Sequence, residues 1–315
     1  MSSRTPLFLL IAIFVCLAAG AQQKNSRRAN AGAPNGGMTV ATYNIRYANR
    51  GDSINGNGWM QRLPVIAQLV KFYDFDIFGT QEGLYQQIEG LKDSLQGYAY
   101  TGVGRDDGKQ AGEHSAIFYK TAKFRLLEQG NFWLSTVTDM PNKGWDAALP
   151  RICSWGKFKV IDTGFEFYLF NLHMDHVGVQ ARAESAKLVL SKIAGFPSAT
   201  PVILTGDFNV DQRNESYALI NNSGQLKDSY EKAAVKYALN GTFNNFKPDN
   251  KSDSRIDHIF VSPAFTVQRY GILTDSYRLK TTDTAAAPIT GKQPGMFTAR
   301  LPSDHFPVMV KLEYR

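Results

Sequence analysis

The segment LTGDFNVD, residues 204–211, places an acid and an amide directly after an apolar run. Residues 201–204 are typical of a short buried strand, and Asp207 and Asn209 follow its carboxyl end. Gly-Asp after a strand is also ordinary turn chemistry, because glycine takes unusual backbone angles and aspartate bonds neighbouring amides. In open α/β sheets, however, ligands bind in the crevice outside the carboxyl ends of the strands. The rest of the chain decides between a turn and a site.

The first 21 residues have the layout of a secretory signal peptide. An apolar stretch at 7–19 is followed by the small residues Ala19, Gly20 and Ala21, which predicts cleavage after Ala21. The stretch is shorter than the roughly 20 apolar residues of a membrane-spanning helix. We therefore expect a secreted or periplasmic protein without stable membrane insertion. Because the apolar run continues beyond Cys16, a surface lipoprotein is not favoured.

Residues 22–37 are polar and rich in Ala, Asn and Gly, which predicts a disordered leader before one domain at 38–315. Once the signal is removed, Cys153 is the remaining cysteine, so no disulfide within the chain is expected. The formal charge of +7 suits a polyanionic substrate but is spread along the chain. The mature protein is expected to be a monomer whose fold is stabilised by its hydrophobic core.

Apolar segments indicate an α/β protein. Segments typical of strands occur at residues 39–45, 77–79, 115–119, 157–161, 165–173, 202–204, 256–261 and 308–312. Many are apolar on both faces, as in sheets that are covered on each side. Helical spacing between them joins Val65, Ile66, Leu69, Val70 and Tyr73, then Leu84, Ile88, Leu91 and Leu95, and a third helix is predicted over 183–194 before Gly195. We predict two sheets packed face to face with helices outside.

Polar residues collect where these strands end, and such positions carry function more often than stability. They are Asn44 in TYNIR, Glu82 in FGTQEGL, Glu113 in GEHSAIFY, Asn171, His173, Asp175 and His176 in NLHMDHVG, Asp257 in SRIDHIF, and Asp304 and His305 in LPSDHFPV. In the strand at 165–173, alternation puts Asn171 and His173 on one face with an apolar stripe. His173 then lies at the rim of its sheet.

The order of these motifs resembles the endonuclease/exonuclease/phosphatase superfamily, which includes deoxyribonuclease I. The matching residues run from Asn44 through Gln81-Glu82, His173, Gly206-Asp207-Phe208-Asn209 and Asp257 to Ser303-Asp304-His305. The resemblance covers the chain from about Met38 to its end. It implies a four-layered α/β sandwich with two mixed sheets, and metal-assisted hydrolysis of a phosphodiester or phosphomonoester.

The resemblance also implies roles for the site residues. Mg²⁺ prefers oxygen ligands, with Mn²⁺ and Ca²⁺ as alternatives, and Asn44, Glu82 and Asp304 are the expected ligands. Asp207 and Asn209 are expected to orient or deprotonate the attacking water. We therefore interpret residues 204–211 as part of a catalytic site rather than as a turn alone.

Each of two histidines has a carboxylate assigned by similarity to deoxyribonuclease I: Glu113 for His173, and Asp257 for His305. A carboxylate fixes the imidazole tautomer and favours its protonated form, which can donate to a phosphoryl oxygen. We count all four residues as catalytic. Asn44 and Asn171 are further expected to contact the substrate.

The segment HMDH, residues 173–176, also suits zinc, as in calcineurin-like metallophosphatases. That family requires a second acid shortly after Gly-Asp and a Gly-Asn-His element downstream, whereas Asn209 follows Gly-Asp-Phe here and the histidine lies in Ser-Asp-His. The metallophosphatase alternative is therefore not favoured.

Two long loops carry the remaining candidates for substrate binding. Arg105 and Arg151 are expected to clamp a phosphate. The tryptophans either stack on a base or sugar or pack beneath the loops; they are Trp133, Trp145 and Trp155. If they line the cleft, the loop acids disfavour a long nucleic-acid backbone; they are Asp106, Asp107 and Asp146.

The sequence thus predicts a secreted Mg²⁺-dependent phosphoesterase acting on a small or end-on substrate. A nuclease acting on DNA or RNA is the alternative within the same chemistry. A ligand-binding module that kept the fold without catalysis is the alternative from another class.

Overall fold

A computed structural model describes Met1 and residues 36–197, 200–280 and 297–315. The predicted signal peptide beyond Met1, and the predicted leader up to residue 35, lie outside the described residues. Gly36 and Gly37, the last two residues of that predicted leader, instead belong to the first strand, where they pair with Tyr314 and Glu313. The folded domain therefore begins before the predicted start at Met38, because backbone pairing with the last strand requires no side chain.

The described chain alternates strands and helices. The helices are α1 (Arg50–Ile54), α2 (Trp59–Phe72), α3 (Tyr85–Ser94), α4 (Val179–Ala194), α5 (Glu215–Asn221) and α6 (Ser229–Lys232). The strands are β1 (Gly36–Asn44), β2 (Ile77–Gln81), β3 (Gly83–Leu84), β4 (Tyr98–Thr101), β5 (Glu113–His114), β6 (Ile117–Lys120), β7 (Phe124–Trp133), β8 (Ile152–Val160), β9 (Glu166–His173), β10 (Val202–Asp207), β11 (Lys227–Asp228), β12 (Val235–Tyr237), β13 (Asp257–Val261), β14 (Phe265–Ile272), β15 (Tyr277–Lys280), β16 (Phe297–Arg300) and β17 (Val308–Tyr314).

Two large mixed sheets carry the fold. Sheet 1 has seven strands in the order β12-β14-β17-β1-β2-β6-β4, and sheet 2 has six in the order β11-β13-β10-β9-β8-β7. Near the middle of sheet 1, β1 and β2 are parallel, and in sheet 2 β9 and β10 are parallel. Because parallel neighbours end at the same edge of a sheet, each sheet has one edge where two strand ends meet.

Apolar side chains define four layers. Between the sheets, residues such as Val40 and Val310 of sheet 1 share a buried cluster with Leu169 and Ile203 of sheet 2. On the outer face of sheet 1 a second cluster packs α2 and α3, and on the outer face of sheet 2 a third packs α4 and α5. The predicted four-layered sandwich is confirmed.

All eight predicted strands are present, although their bounds move. β10 continues through Asp207, and β8 begins at Ile152 rather than at residue 157. The longest strands that the sequence reasoning missed are β7 and β14. β7 lies at the edge of sheet 2 and exposes most of its middle residues, so it lacks the continuous apolar run of a strand that is covered on both faces.

A polar cross-link lies inside the sandwich. The Asn171 amide nitrogen donates to the carbonyl oxygens of Thr80 and Ala116, and its oxygen accepts from Gln81 and Thr205. Gly79 makes room for it, since a Cβ there would collide with the Asn171 amide. The amide ties sheet 2 to sheet 1 and, with all its hydrogen-bonding groups satisfied, is fully buried.

Cys153 is a buried free thiol in β8. Across the residues that the structure describes, none of the helices combines the length and the apolar character needed to cross a bilayer.

Candidate active site

The carboxyl ends of the parallel strand pairs bring the predicted residues together. Asn44 ends β1 beside Gln81, the last residue of β2, and Glu82 follows. In sheet 2, Asp207 ends β10 beside His173, the last residue of β9. Asp257, the first residue of antiparallel β13, lies opposite Asp207. The interpretation of residues 204–211 as part of a site, rather than as a turn alone, follows from this register.

These residues surround a cleft of about 460 Å³. Its lining consists of Arg46, Tyr47, Glu82, Glu113, Leu149, Arg151, His173, His176, Asp207, Asn209, Phe243, Asn245, Ile256, Asp304 and His305. Glu113, His173 and Asp207 lie at strand ends, and Glu82 and Arg151 lie next to one. The other ionisable side chains and the apolar ones lie on loops.

Asn44 bridges two carboxylates. Its amide nitrogen donates to Glu82 Oε1 at 2.9 Å and to Asp207 Oδ2 at 3.0 Å, and its oxygen accepts from the backbone N–H of Arg46 at 3.0 Å. The oxygen that was expected to bind a metal or the substrate is therefore engaged with the backbone, and the residue is fully buried. Asn44 holds the acids in place instead.

Arg46, which the sequence reasoning did not select, lies between the two predicted metal-binding carboxylates. Its Nη1 is 3.5 Å from Asp304 Oδ2 and 3.9 Å from Glu82 Oε2. Burial raises the pKa of Asp304 to about 6, with the charge of Glu82 adding to this effect and those of His305 and Arg46 opposing it. Two acids this close require a nearby cation.

Arg62 fixes the loop on which Arg46 lies. From α2, its buried guanidinium donates to the carbonyl oxygens of Ile45 and Arg46 and to that of Pro302, just before Asp304. One side chain therefore ties the loop after β1 to the loop before β17.

His305 is held protonated. Its Nδ1 lies 2.9 Å from Asp257 Oδ2, and its Nε2 lies 3.7 Å from Asp207 Oδ2. Although burial alone would lower it, the charges of Asp257 and Asp207 raise the pKa of His305 well above its ordinary value. The structure thus brings Asp257 to the position that the resemblance implied.

Asp207 lies at the floor of the cleft between the two histidines. Burial, reinforced by the charge of Asp257, raises its pKa, while His305 and His173 oppose the shift. Asp207 Oδ1 accepts the backbone N–H of Asn209 at 2.9 Å. A buried carboxylate with a raised pKa is a stronger base than an exposed one.

The pKa of His173 is shifted in the opposite direction from that of His305. Burial, together with the charge of Arg151, lowers its pKa to about 3. Asn209 donates its amide nitrogen to Met174 O and also faces His173 Nε2, both at 3.0 Å. Since an amide nitrogen can only donate, Nε2 accepts and the single proton of the neutral ring lies on Nδ1. The expectation of a protonated His173 is wrong for this structure.

Glu113 does not orient His173 by a hydrogen bond, because its nearest oxygen is 3.6 Å from Nδ1. Instead, the Arg105 guanidinium donates hydrogen bonds to both carboxylate oxygens of Glu113, at 2.6 and 2.9 Å. Arg105 is buried, does not line the cleft, and clamps this carboxylate rather than a phosphate. The expected roles of both residues are corrected accordingly.

Several other candidates also lie away from the cleft. Asn171, expected to contact the substrate, is the cross-link between the sheets. Trp133 donates to Arg105 O and Trp155 packs against Phe196. The three loop acids do not line the cleft either, which removes the argument for a small substrate that rested on them; they are Asp106, Asp107 and Asp146.

Asp175 is a structural anchor and not a zinc ligand. Its carboxylate accepts from the backbone N–H groups of Ala148, Leu149, Val177 and Gly178. Although burial opposes the shift, these hydrogen bonds and the charge of Arg151 hold its pKa far below the ordinary range. The carboxylate oxygens of Asp175 are therefore already engaged in hydrogen bonds within the protein.

Left-handed backbone marks four of the residues that line the cleft. Arg46, Glu82, Asn209 and Asn245 have φ values of 56°, 66°, 51° and 54°. Residues other than glycine rarely adopt this conformation, and strain of this kind concentrates at functional sites. The turns after β1, β2 and β10 are therefore shaped to present side chains.

The sequence between residues 41 and 305 matches the model of the endonuclease/exonuclease/phosphatase family. The chain belongs to this family. Members of the family are hydrolases that act on phosphoester bonds, and they generally depend on divalent metal ions.

Three relatives illustrate the range of the family. A family protein of Bacteroides thetaiotaomicron is 58% identical, with a TM-score of 0.84, over 89% of this chain and 99% of that chain. The mannosyl-6-phosphatase Bt3783 of Bacteroides thetaiotaomicron VPI-5482 is 59% identical, with a TM-score of 0.81, over 87% and 99%. An uncharacterized protein of Acanthamoeba polyphaga mimivirus is 25% identical over 224 residues, covering 67% of this chain and 83% of its own.

The donor set fits the hard cation that this family uses. Ligand atoms of Glu82, His173 and Asp207 lie within 4.8 Å of one another, as do those of Asp207, Asp257 and His305. The second group is engaged internally, since His305 bonds Asp257. Carboxylates suit Mg²⁺ and related ions, so Glu82 is the central candidate ligand, with Asp304 across the guanidinium of Arg46.

Sequence reasoning missed the cleft residues that carry no family motif. They are Arg46, Tyr47, Leu149, Phe243, Asn245 and Ile256. His176, which the sequence indicated only as a candidate zinc ligand, also lines the cleft. Arg46 follows Asn44 by two residues in TYNIR, so proximity to a motif residue was an available signal. Phe243 had no such signal, because its position depends on a loop that reaches His305 from a distant part of the chain.

Proposed function

We propose that this family member is a secreted, divalent-metal-dependent phosphoesterase that removes phosphate from a small sugar phosphate. The observation that carries the proposal is the buried Asp207, whose Oδ2 lies 3.6 Å from His173 Nε2 and 3.7 Å from His305 Nε2 at the floor of a small cleft. The surroundings raise the pKa of His305 and lower that of His173. Such a pairing separates a base from a proton donor within one site.

Mg²⁺ is the expected ion, with Mn²⁺ and Ca²⁺ as alternatives, and Glu82 and Asp304 would hold it. When bound, the ion would neutralise the phosphoryl group and fix its orientation. Arg46 contributes a second positive charge beside the same two carboxylates.

The protein groups then divide the work. Asp207 accepts a proton from the attacking water, because burial and Asp257 strengthen it as a base. As the water oxygen bonds to phosphorus, the bond from phosphorus to the sugar oxygen breaks, and that oxygen leaves as a hydroxyl after taking a proton from solvent. His305 donates from Nε2 to a phosphoryl oxygen, whose charge grows in the transition state. Asn209 hydrogen-bonds to His173 and to Asp207, and these contacts hold the loop after β10 in position.

The size and charge of the cleft support a small substrate over a nucleic acid. Apart from the histidines, the basic residues lining it are Arg46 and Arg151, and both contact carboxylates. A nucleic-acid backbone instead requires a series of cations to replace its counterions. The relative named as a mannosyl-6-phosphatase, 59% identical over nearly its whole length, supports a sugar phosphomonoester.

The test measures phosphate release from mannose 6-phosphate and phenyl phosphate, p-nitrophenol release from bis-p-nitrophenyl phosphate, and cleavage of duplex DNA by gel electrophoresis, all with purified protein. We expect hydrolysis of the sugar phosphate with Mg²⁺ or Mn²⁺, loss of activity in EDTA, and recovery when the metal is restored. Asp207→Asn serves as the inactive control for contaminating phosphatases.

Two other outcomes would favour the alternatives. Cleavage of DNA at a rate far above that of mannose 6-phosphate would favour a nuclease. Binding of phosphosugars without turnover under any of the three metals would favour a ligand-binding module on the same fold.

Secretion rests on the N-terminal pattern of the first 21 residues. We expect the protein from its native envelope or medium to begin at Gln22 when its N-terminus is sequenced by mass spectrometry. A retained Met1 in the mature protein would contradict this part of the proposal.

A further inference from the structure

Arg151 supports a second histidine of the cleft. Its Nε lies 3.2 Å from Asp175 Oδ2, and its Nη2 lies 2.9 Å from His176 Nδ1. Arg151 is 4% exposed, so this guanidinium is positioned by buried contacts. His176 itself is exposed and lines the cleft.

The arginine determines which nitrogen of His176 carries the proton. A guanidinium can only donate, so Nδ1 of His176 must accept. A proton on that nitrogen would face another N–H and a like charge. The ring is therefore neutral with its proton on Nε2, the nitrogen on the edge opposite Arg151. Within the residues that the structure describes, Nε2 has no hydrogen-bond partner.

The surroundings of His176 differ from those of the reacting centre. Asp175 fixes the loop by accepting the N–H of Leu149, whose side chain also lines the cleft. Among the described contacts, His176 bonds neither Asp207 nor the two predicted metal-binding acids. A neutral donor beside an apolar side chain suits an uncharged hydroxyl, whereas a phosphate favours charged donors.

We infer that His176 is a specificity-determining residue, whose Nε2–H binds a hydroxyl of the sugar beyond the scissile phosphate. Arg151 and Asp175 are its positioning residues. This inference rests on the proposed function and names the group that selects a sugar phosphate over a phosphate ester without hydroxyls.

The test compares mannose 6-phosphate with phenyl phosphate, which lacks a hydrogen-bonding group beyond its phosphate. His176→Asn keeps an acceptor for Arg151 but is too short to replace Nε2–H. We expect the ratio of kcat/KM for mannose 6-phosphate to kcat/KM for phenyl phosphate to fall about tenfold, mainly through KM, as for one lost hydrogen bond. His176→Gln places an amide N–H near the position of Nε2 and should recover most of this ratio.

Val177→Thr, a change at the neighbouring exposed residue, is the control and should leave both rates unchanged. Equal losses on the two substrates in His176→Asn, or a Gln variant no better than Asn, would overturn the inference, because a structural role affects both substrates alike. A wild-type protein that hydrolyses neither substrate would overturn the proposed function and this inference with it.

Discussion

His173 and His305 show how neighbours decide the chemistry of one residue type. Both are buried beside Asp207, at 3.6 and 3.7 Å. His305 bonds a second carboxylate, Asp257, which favours the cation, whereas His173 lies near the charge of Arg151, which disfavours it. Burial lowers the pKa of both rings, but the carboxylates around His305 outweigh it, whereas the charge of Arg151 adds to it at His173.

Asp207→Asn and His305→Ala should each lower kcat by at least ~100-fold, because each removes a positioned acid, base or charged group. Circular dichroism and thermal unfolding should show the native fold in both variants. Asp249→Asn, at an exposed acid, is the matched control and should keep the wild-type rate. Near-normal turnover in either site variant would remove Asp207 or His305 from the mechanism.

Asn171→Ala should act on stability and not on substrate binding. It removes the two hydrogen bonds that Asn171 donates to the carbonyl oxygens of Thr80 and Ala116 inside the sandwich, although Ala116 O keeps the N–H of Thr80. The loss should cost about 2–4 kcal/mol in the free energy of unfolding. Urea denaturation measures this loss. KM should stay within about threefold of wild type, because Asn171 does not line the cleft and the change removes at most one weak contact near the substrate. A large rise in KM with unchanged stability would restore the substrate-binding role expected from sequence.

The pairing of β1, β2 and β6 depends on one acid at the start of β2. Asp76 accepts the backbone N–H of Thr39 in β1, and its carboxylate also accepts from Lys120 and Lys123 at and beyond the end of β6. Burial alone would raise the pKa of Asp76, but these donors outweigh burial and lower it. The strands that carry Asn44 and Glu82 are therefore joined at the end opposite the cleft.

Asp76→Asn should lower the free energy of unfolding by about 1–2 kcal/mol at pH 7, since the lost contacts are charge-assisted but partly exposed. A lowered folded pKa contributes stability that is complete above the unfolded value near 3.9 and is lost as pH falls below it. The difference between wild type and variant should therefore shrink between about pH 4 and pH 2. Urea denaturation across this range is the measurement.

Asp74→Asn provides the control for that experiment. Asp74 also contacts Lys120, but its side chain is 78% exposed. The change should therefore cost less than about 0.5 kcal/mol at any pH. A pH-independent difference for Asp76→Asn would mean that its packing, and not its charge, stabilises the strands.

The assembled sandwich confines the chemistry to one edge. Both parallel strand pairs end there, and loops that carry Leu149 and Phe243 narrow the opening to a cleft of about 460 Å³. The formal charge of +7 does not gather in this cleft, where acids outnumber arginines. The overall charge suits a polyanion, whereas the charge of the cleft does not. The cleft is the better guide to the substrate.

Salt should consequently have little effect on substrate affinity. KM for the best substrate should change by less than about threefold between about 50 and 200 mM salt, because few counterions are released by one phosphate. A nuclease that follows a duplex backbone would lose affinity with a log–log slope near −0.9 per neutralised phosphate. Arg151→Ala should reduce activity far more than this change in salt does. A steep salt slope, with little effect of the arginine change, would favour a nuclease.

Much of this protein could be predicted from its sequence because the signals are local. Apolar runs located eight strands, helical spacing located three helices, and six separated motifs indicated the family. Asp207, His305, Asp257, Glu82 and Asp304 were selected because each follows or precedes an apolar strand, which places it at a sheet edge wherever that strand pairs.

The tertiary structure alone decided what each polar group does. Asn171 and His173 are two residues apart on one strand, yet the first is closed between two sheets and the second reaches the cleft. Arg105 binds Glu113, Arg46 lies between Glu82 and Asp304, and Arg151 orients His176, although all three arginines appear alike in the sequence. Protonation, hydrogen-bond partners and exposure depend on neighbours brought from distant segments, and no local pattern encodes those distances.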